Sequence, residues 1–497
     1  MFISPTLIAA TAELISMKSR VINKFYEPLV LLKALNDEMT NLAEFVDPED
    51  LNYRGDVKKI FQAFVYKLAH VCDSIPGNGG GTVTSIMLLR GSGSAKVEYH
   101  LASNQRSHND LENIRAYIRH LLERVDRAST SGNVSELRKD LLNAVLWFNR
   151  PRINSYMSRL ETEIQLCIDN NRDENSTVQA LRRTLDLLGF HHARMATQSQ
   201  YLHRCNILLH NLISLKASEV WGHIDQRATG IRLNGVTSNS SACWPETRHM
   251  VNRLLSYCKD IEFFILAKDN WPEIFRNFEI LACPSSQPNK CPGRNKSMTA
   301  ESIVGRMTRK EHLIERFREC VHDLQIMHLD QRIKTEYQKD NFRPIVHSEI
   351  LLLNHLEKTA GSVSPTRFFK DWMYIGSSKP ICRLCEYYFE EHRSGVEHRS
   401  SHKNLYISWR LPDVLRSEGD GGEERRQVMF DRLLQRIRKD AFDLVEKKVR
   451  PTLRNHDSIT SSVSMTLQGN WSEPSDISEV LSSMGSLRLN IDEHSEE

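Results

Sequence analysis

Several features that would assign a chain to a class at once are scarce in this sequence. Its ten cysteines are scattered over 497 residues, which is too sparse for a fold stapled by disulfides. Lysines and arginines number 66 against 63 acidic residues, so a net charge of +3 does not indicate a nucleic-acid or membrane-surface binder. No window approaches 18 uninterrupted apolar residues, and no basic stretch precedes the short apolar run at the N-terminus. These absences predict an intracellular protein, cytoplasmic or nuclear, with no membrane partner.

Hydrophobic spacing predicts a mainly helical chain that contains one early β-hairpin. Apolar residues recur every three or four positions in "VKKIFQAFVYKLAHV" and in several segments between 107 and 282, as is typical of amphipathic helices. The stretch "GTVTSIMLLRGSGSAKVEYHLASN" has two β-rich runs around a Gly/Ser turn, which predicts a hairpin over 82–104. A long polar helix is predicted over 309–340, and "DWMYIG" and "NLYISW" further on have the composition of strands.

Two later stretches, "RPIVHSEILLLNHLEK" and "YIGSSKPICRLCEYYFEEH", carry the residue types of a catalytic zinc site. Such a site needs three protein ligands and a free fourth position, and one histidine with two cysteines supplies those ligands. His347 and Glu349 point the same way if they leave an extended segment. Cys382 and Cys385 share a face at a helix start, where Pro380 suits the first turn and the helix N-terminus favours thiolate. Glu349 would then lie beside the fourth position, where a proton shuttle belongs.

The order H-x-E, then Pro and C-x-x-C, resembles the signature of zinc deaminases. Together with "SHKNLYISWRLP", these stretches resemble a fungal-expanded branch of the cytidine deaminase-like superfamily over about 341–412. The resemblance implies an α/β fold in three α/β/α layers, with a mixed sheet and the metal at the facing ends of two helices. It also implies that His347, Cys382 and Cys385 bind zinc and that Glu349 shuttles protons. The family usually has Pro directly before the first Cys, whereas Ile381 intervenes here, so the substrate contact of this loop is not carried over.

The same resemblance implies a division of the whole chain into regions. A deaminase sheet begins with an antiparallel strand pair, preceded by a helix and followed by an Asn that meets the sugar or base. The hairpin and Asn104 fit this order, although an Asn that ends a strand also serves as a turn former. The implied regions are an N-terminal helical region (1–50), the first part of a deaminase-like domain (51–106), a large all-helical insertion (107–330), the zinc-binding part of that domain (331–453) and a disordered, Ser-rich acidic tail (454–497).

A zinc finger is a rival interpretation of the same cysteine pair. With His398 and His402 the pair satisfies the spacing C-x2-C-x12-H-x3-H, and Phe389 stands where a finger keeps its aromatic core residue. A finger needs a hairpin through its cysteines and a helix through its histidines. Here "CRLCEYYFEEH" indicates a helix, while "RSGVEHRSSHK" has Gly395 and serines that favour turns. The finger also leaves His347 without a role, so the sequence favours the deaminase site.

The sequence therefore predicts a zinc-dependent hydrolytic deaminase of cytosine or adenine. Its substrate would be a nucleobase, a nucleotide or a single-stranded nucleic acid. A catalytically inactive, deaminase-like interaction module and a zinc-finger-type nucleic-acid-binding protein are the alternatives. The helical insertion or the tail would offer a surface for a protein partner. Cys283 and Cys291 lie in or beside a loop without a second pair nearby, which is more typical of ordinary thiols than of metal ligands.

Overall fold

The computed structural model describes residues 14–38, 42–43, 56–76, 80–91, 96–127, 134–171, 175–188, 197–233, 243–292, 298–340, 342–359, 361–447 and 454–455. From residue 456 onward, the predicted acidic tail lies outside these residues. The described part is a mixed α/β protein. Its helices are α1 (Ser19–Glu38), α2 (Val57–Cys72), α3 (His108–Arg127), α4 (Val134–Phe148), α5 (Arg150–Asp169), α6 (Ser176–Leu188), α7 (Gln198–Ala217), α8 (Glu219–Leu233), α9 (Cys243–Asn270), α10 (Glu273–Arg276), α11 (Ala300–Met307), α12 (Glu311–Leu324), α13 (Leu329–Gln338), α14 (Ser348–Lys358), α15 (Arg383–His392) and α16 (Gly419–Lys447). Its strands are β1 (Leu42–Ala43), β2 (Thr84–Arg90), β3 (Val97–Ser103), β4 (Phe278–Cys283), β5 (Tyr374–Ser377), β6 (Glu397–His398) and β7 (Arg454–Asn455).

Five strands form one mixed sheet in the order β4-β3-β2-β5-β6. The predicted hairpin is confirmed: β2 and β3 pair antiparallel, with Thr84 opposite Ser103 and Arg90 opposite Val97. β5 joins β2 antiparallel, whereas β4 joins β3 and β6 joins β5 in parallel. The remaining strands, β1 and β7, form a separate parallel pair.

The central strand β2 is buried on both faces, which explains its nearly continuous apolar sequence. Ile86 and Leu88 point into the apolar cluster that contains residues of α2. Met87 and Leu89 alternate with them and point into the cluster that contains residues of α14. Helices therefore cover both faces of the sheet.

β5 is the strand that leads into the cysteine pair, and it runs very close to α2. A Cβ added at Gly376 would lie 2.7 Å from the backbone nitrogen of Tyr66. A larger residue would push the strand away from the helix, so glycine is required by the close backbone approach.

The expectation of an all-helical stretch over 107–330 is wrong at one place. Phe278–Cys283 is the strand β4, and it pairs with β3 from Val97 to Ala102. A short apolar run such as "FEILAC" has no periodicity that distinguishes a strand from a buried helix. The run forms a strand because its backbone pairs with the otherwise free edge of β3. Helices occupy most of the remaining described residues of the stretch, as predicted.

Two smaller expectations also need correction. The helix predicted over 309–340 is broken into α12 and α13, because His328 between them has a left-handed φ of 55°. The run "NLYISW" is not a regular strand, and within it Trp409 forms a single parallel bridge with Ile345.

Two apolar cores meet at the sheet. One contains residues of α2 through α10 and of one sheet face, and the other contains residues of α1, α11 through α16 and of the opposite face. The N-terminal helix α1 thus shares its core with α14, the helix of the predicted metal site. Within the described residues, no helix combines the length and the apolar character that crossing a membrane requires.

Candidate metal centre

The predicted ligands lie at the N-terminal ends of two helices. His347 is the residue before α14 and has extended backbone angles, with φ −72° and ψ 151°. The segment before it is held extended by hydrogen bonds from the Ile345 amide to the Ser408 carbonyl and from the Arg410 amide to the Ile345 carbonyl. Cys382 likewise precedes α15 with extended angles, and Cys385 lies in the first turn of that helix. The predicted local geometry of His347 is therefore confirmed.

The position expected for Pro380 is wrong. Pro380 lies two residues before Cys382 and outside α15 rather than in its first turn. The intervening Ile381 is buried and forms a parallel bridge with Ser401. This bridge keeps the chain extended up to Cys382, so the additional residue is accommodated before the ligand position.

The three ligand atoms converge. The Nδ1 atom of His347 lies 3.3 Å from the Cys385 sulfur and 3.6 Å from the Cys382 sulfur, and the two sulfurs are 3.5 Å apart. Around a tetrahedral zinc ion, nitrogen and sulfur ligands lie roughly 3.5–3.8 Å from one another, given the usual zinc–ligand bond lengths. The donor set and its spacing thus fit a single zinc ion with three protein ligands.

The two cysteines are buried and His347 is half-buried, and the charges of the three residues act strongly on one another. Burial alone would raise the pKa of the Cys382 thiol, but the hydrogen bond with Cys385 and the charge of His347 lower it to about 6. Burial opposes the charged form of His347, yet the negative charge of Cys382 acts against burial, and the pKa of His347 is raised. Burial, together with hydrogen bonds to Cys382 and Glu349, raises the pKa of Cys385. A thiolate is therefore available for a metal near neutral pH.

Glu349 lies in the first turn of α14, is buried, and is held by a chain of hydroxyl groups. The Ser348 hydroxyl donates to its Oε2 atom at 3.2 Å and also shares a hydrogen bond of 2.8 Å with the Ser85 hydroxyl on β2. The central sheet thus orients the carboxylate through Ser348. Sequence reasoning assigned no role to Ser85 or Ser348, although Ser348 is the middle residue of the H-x-E pattern.

Asn104 follows β3 and lines the same cleft, as its predicted position required. Its Oδ1 atom accepts a hydrogen bond of 2.8 Å from the Ser348 amide, and its Nδ2 atom donates to the Gly80 carbonyl at 2.9 Å. The side chain therefore joins the end of the hairpin to the N-terminus of α14. A contact of Asn104 with the substrate stays a prediction.

Trp409 is a further residue of the centre that the sequence did not single out. Its buried indole nitrogen donates a hydrogen bond to the Cys385 sulfur at 3.3 Å. An N–H donor stabilises negative charge on a sulfur ligand and fixes its orientation. The signal in the sequence was the run "SHKNLYISWRLP", whose tryptophan has a packing role as well.

A cleft of about 960 Å³ opens over the centre. Its lining includes His347, Glu349, Cys382 and Asn104, so two of the three candidate ligands and the carboxylate residue line the same space. The aromatic ring of Tyr406 also lines the cleft, with its centroid 6.5 Å from that of His347.

The two histidines of the zinc-finger interpretation, His398 and His402, contact other groups than the cysteine pair. His398 lies in the short strand β6, where its Nδ1 atom is 2.8 Å from the Arg399 carbonyl and its ring packs on Phe389. The His402 ring accepts a hydrogen bond from the Asn404 amide. Within the described residues, the metal-ligating group that contains the cysteine pair includes His347 and neither of these histidines. Cys283 and Cys291 are not members of that group either.

Residues 346–413 match the family model of the OTT_1508-like deaminases, a family of the cytidine deaminase-like superfamily. The matched segment contains His347, Glu349, Cys382 and Cys385, and it is confined to one part of the 497-residue chain. No curated protein and no solved structure matches the chain significantly. The resemblance of this segment to the cytidine deaminase-like superfamily, inferred from the sequence, is thus confirmed.

Proposed function

We propose that the chain is a zinc-dependent hydrolytic deaminase of cytosine or adenine in a nucleotide or a nucleic acid. One observation carries the proposal: a histidine nitrogen and two cysteine sulfurs converge on one side of a cleft, with the Glu349 carboxylate beside them. The match to a deaminase family supports it. The sheet with α2 on one face and α14 and α15 toward the other would be the deaminase core.

His347, Cys382 and Cys385 would hold the zinc ion. Zinc bound by such ligands supplies a water molecule acidic enough to lose its proton near neutral pH. Glu349 would accept one proton of that water and pass it to the ring nitrogen, and it would then carry the second proton, from the hydroxyl group formed on the amidine carbon, to the amine. Oxygen from water becomes bonded to the amidine carbon, the bond from carbon to the exocyclic nitrogen breaks, and ammonia leaves. Ser348 would keep the carboxylate oriented during both transfers, because its hydroxyl donates to Oε2.

The proposal is tested by zinc content and ammonia release from the same preparations. Wild type should contain one zinc ion per chain, His347→Ala should lose it, and His398→Ala should retain it. Glu349→Gln should retain zinc and lower the turnover rate by roughly 10²–10⁴-fold, since it removes only the proton shuttle. Free bases, nucleosides, nucleotides and single strands are offered as substrates.

Two outcomes would contradict the proposal. Zinc lost with His398→Ala and kept with His347→Ala would assign the metal to a finger. A wild type that holds zinc at the His347 site but releases no ammonia from any substrate would identify an inactive, deaminase-like interaction module.

A further inference from the structure

The cleft over the metal centre is large for the reaction proposed. Its volume of about 960 Å³ lies at the upper end of the range for sites that enclose a whole drug-sized ligand. A free cytosine or adenine would leave most of this space filled with water. The cleft is therefore sized for a base together with the groups attached to it.

Basic side chains reach this cleft from four separate parts of the chain. One comes from α1, one follows β3, two come from the segment after α13, and one follows β5 on the way to Cys382. They are Lys33, Arg106, Lys339, Arg343 and Lys379. None of these residues forms part of a basic run, so their convergence exists only in the folded protein.

Three acidic residues also line the cleft. Lys339 pairs with Glu336, and Asp340 and Glu349 are the other carboxylates of the lining. Arg106 is half-buried and anchored, because it donates a hydrogen bond of 3.0 Å to the Cys72 carbonyl. Arg343 is exposed at the rim, and Lys379 is half-buried next to the ligand loop. The lining thus holds five basic residues against three acidic ones, in a chain that is nearly neutral overall.

From this lining we infer that the substrate base arrives attached to phosphate, and that Arg343 and Lys379 are contacts for it. The inference rests on the proposed deaminase function, and it adds to that function the residues that contact the phosphate of the nucleotide or nucleic acid. Lysine and arginine recognise phosphate oxygens through charge-assisted hydrogen bonds, whereas a base or a nucleoside offers no such anion. The phosphate belongs either to a free nucleotide or to a nucleotide unit of a single strand.

Binding to the zinc-loaded full chain with Glu349→Gln separates the substrate classes without turnover. Cytidine is compared with its 5′-monophosphate, and adenosine with its own, by calorimetry; a fluorescent mixed-sequence single strand is followed by anisotropy. Phosphate-bearing ligands should bind roughly tenfold tighter or more than the nucleosides. If the strand is the source of the phosphate, it should displace the mononucleotide, and its affinity should fall steeply with salt.

Matched variants locate the effect. Arg343→Ala combined with Lys379→Ala should remove most of the preference for phosphate and leave nucleoside binding unchanged. The control combines Arg309→Ala with Lys334→Ala, since both residues are exposed and neither lines the cleft. Zinc content and circular dichroism establish that each variant is folded.

The outcomes separate this inference from the proposed function. Equal affinity for nucleoside and nucleotide, or equal loss in the cleft and control variants, would overturn the phosphate contact even if wild type releases ammonia from nucleosides. Tight, cleft-dependent binding of phosphate-bearing ligands would support the phosphate contact. If wild type then released no ammonia from any of these ligands, the proposed deaminase function would be contradicted.

Discussion

Trp409 donates its indole N–H to the Cys385 sulfur, although an indole cannot bind zinc itself. The ring is fully buried and stacks on Phe25 of α1, and its backbone carbonyl accepts a hydrogen bond from the Tyr26 hydroxyl. Packing thus fixes the donor at the sulfur. Loss of a group that orients a metal ligand in this way typically lowers metal affinity by about 10–100-fold.

Trp409→Phe should weaken zinc binding by roughly 10–100-fold, because it removes the N–H donor and retains most of the packed ring. The measurement is competition with a chromophoric chelator, together with the sulfur-to-metal absorption of the cobalt-substituted protein. Trp372→Phe is the control, since that indole packs against Phe61 away from the sulfurs. Equal zinc affinity in wild type and Trp409→Phe would show that the hydrogen bond does not support the metal.

At the scale of single elements, α14 connects the candidate centre to a histidine pair beneath it. His355 lies in the last turn of α14, at the opposite end from His347. The centroid of its ring is 5.4 Å from that of the His100 ring on β3. Burial lowers the pKa of His355 to about 4, and the charges of His100 and Arg367 act in the same direction. The helix therefore packs on the sheet with His355 neutral at physiological pH.

This pKa predicts a loss of stability in acid. A histidine in the unfolded chain takes up a proton near pH 6.5, whereas folded His355 resists protonation until about pH 4. The free energy of unfolding should fall through this window by roughly 1–3 kcal/mol on account of His355. His355→Asn should lack that contribution.

The measurement compares the unfolding midpoints of wild type and His355→Asn at several pH values. The difference between the two should shift in favour of the variant as pH falls from about 6.5 to about 4. Effects of acid on the cysteine ligands are common to both proteins and cancel. A difference that does not vary with pH would show that His355 is protonated equally in folded and unfolded chains.

At the scale of the whole molecule, the helical region is tied to the cleft by a buried ion pair. Arg152 of α5 contacts Asp73 at 2.5 Å and donates to the Ile75 carbonyl and to the Thr82 hydroxyl. The chain from Gly80 to Val83 is in turn bonded to Asn104 and Gln105 at the cleft. The helices between β3 and β4 therefore support the cleft and share a core with the sheet.

Arg152→Gln should cost about 3–5 kcal/mol of stability, because it removes the guanidinium that pairs with the buried Asp73 carboxylate. Arg159→Gln on the same helix is the matched control: its ion pairs with Glu163 and Glu246 are partly exposed and should be worth at most about 1 kcal/mol. Denaturant unfolding measures the free energy of unfolding of both variants.

Ammonia release should fall in Arg152→Gln while zinc is retained, since the cleft loses support and the metal ligands do not. Equal costs for the two variants would show that the pair does not secure the cleft.

Local spacing was enough to predict the hairpin, most helices and the four residues of the H-x-E and C-x-x-C patterns. These features depend on neighbours a few positions away, such as the turn between β2 and β3 or the extended residue before α14. β4 could not be predicted in the same way, because its six residues become a strand only beside the free edge of β3.

Contacts between distant segments were decided by tertiary structure alone. Ser85 reaches Glu349 through Ser348, Trp409 reaches Cys385, and the cleft takes its basic side chains from four segments of the chain. A sequence pattern carries no information on which remote side chain packs beside a given site, since that depends on how helices and sheet bury their apolar faces together. The residue types of the candidate centre could thus be recognised in the sequence, while its supporting hydrogen bonds and the basic residues of its cleft were brought together by the packing.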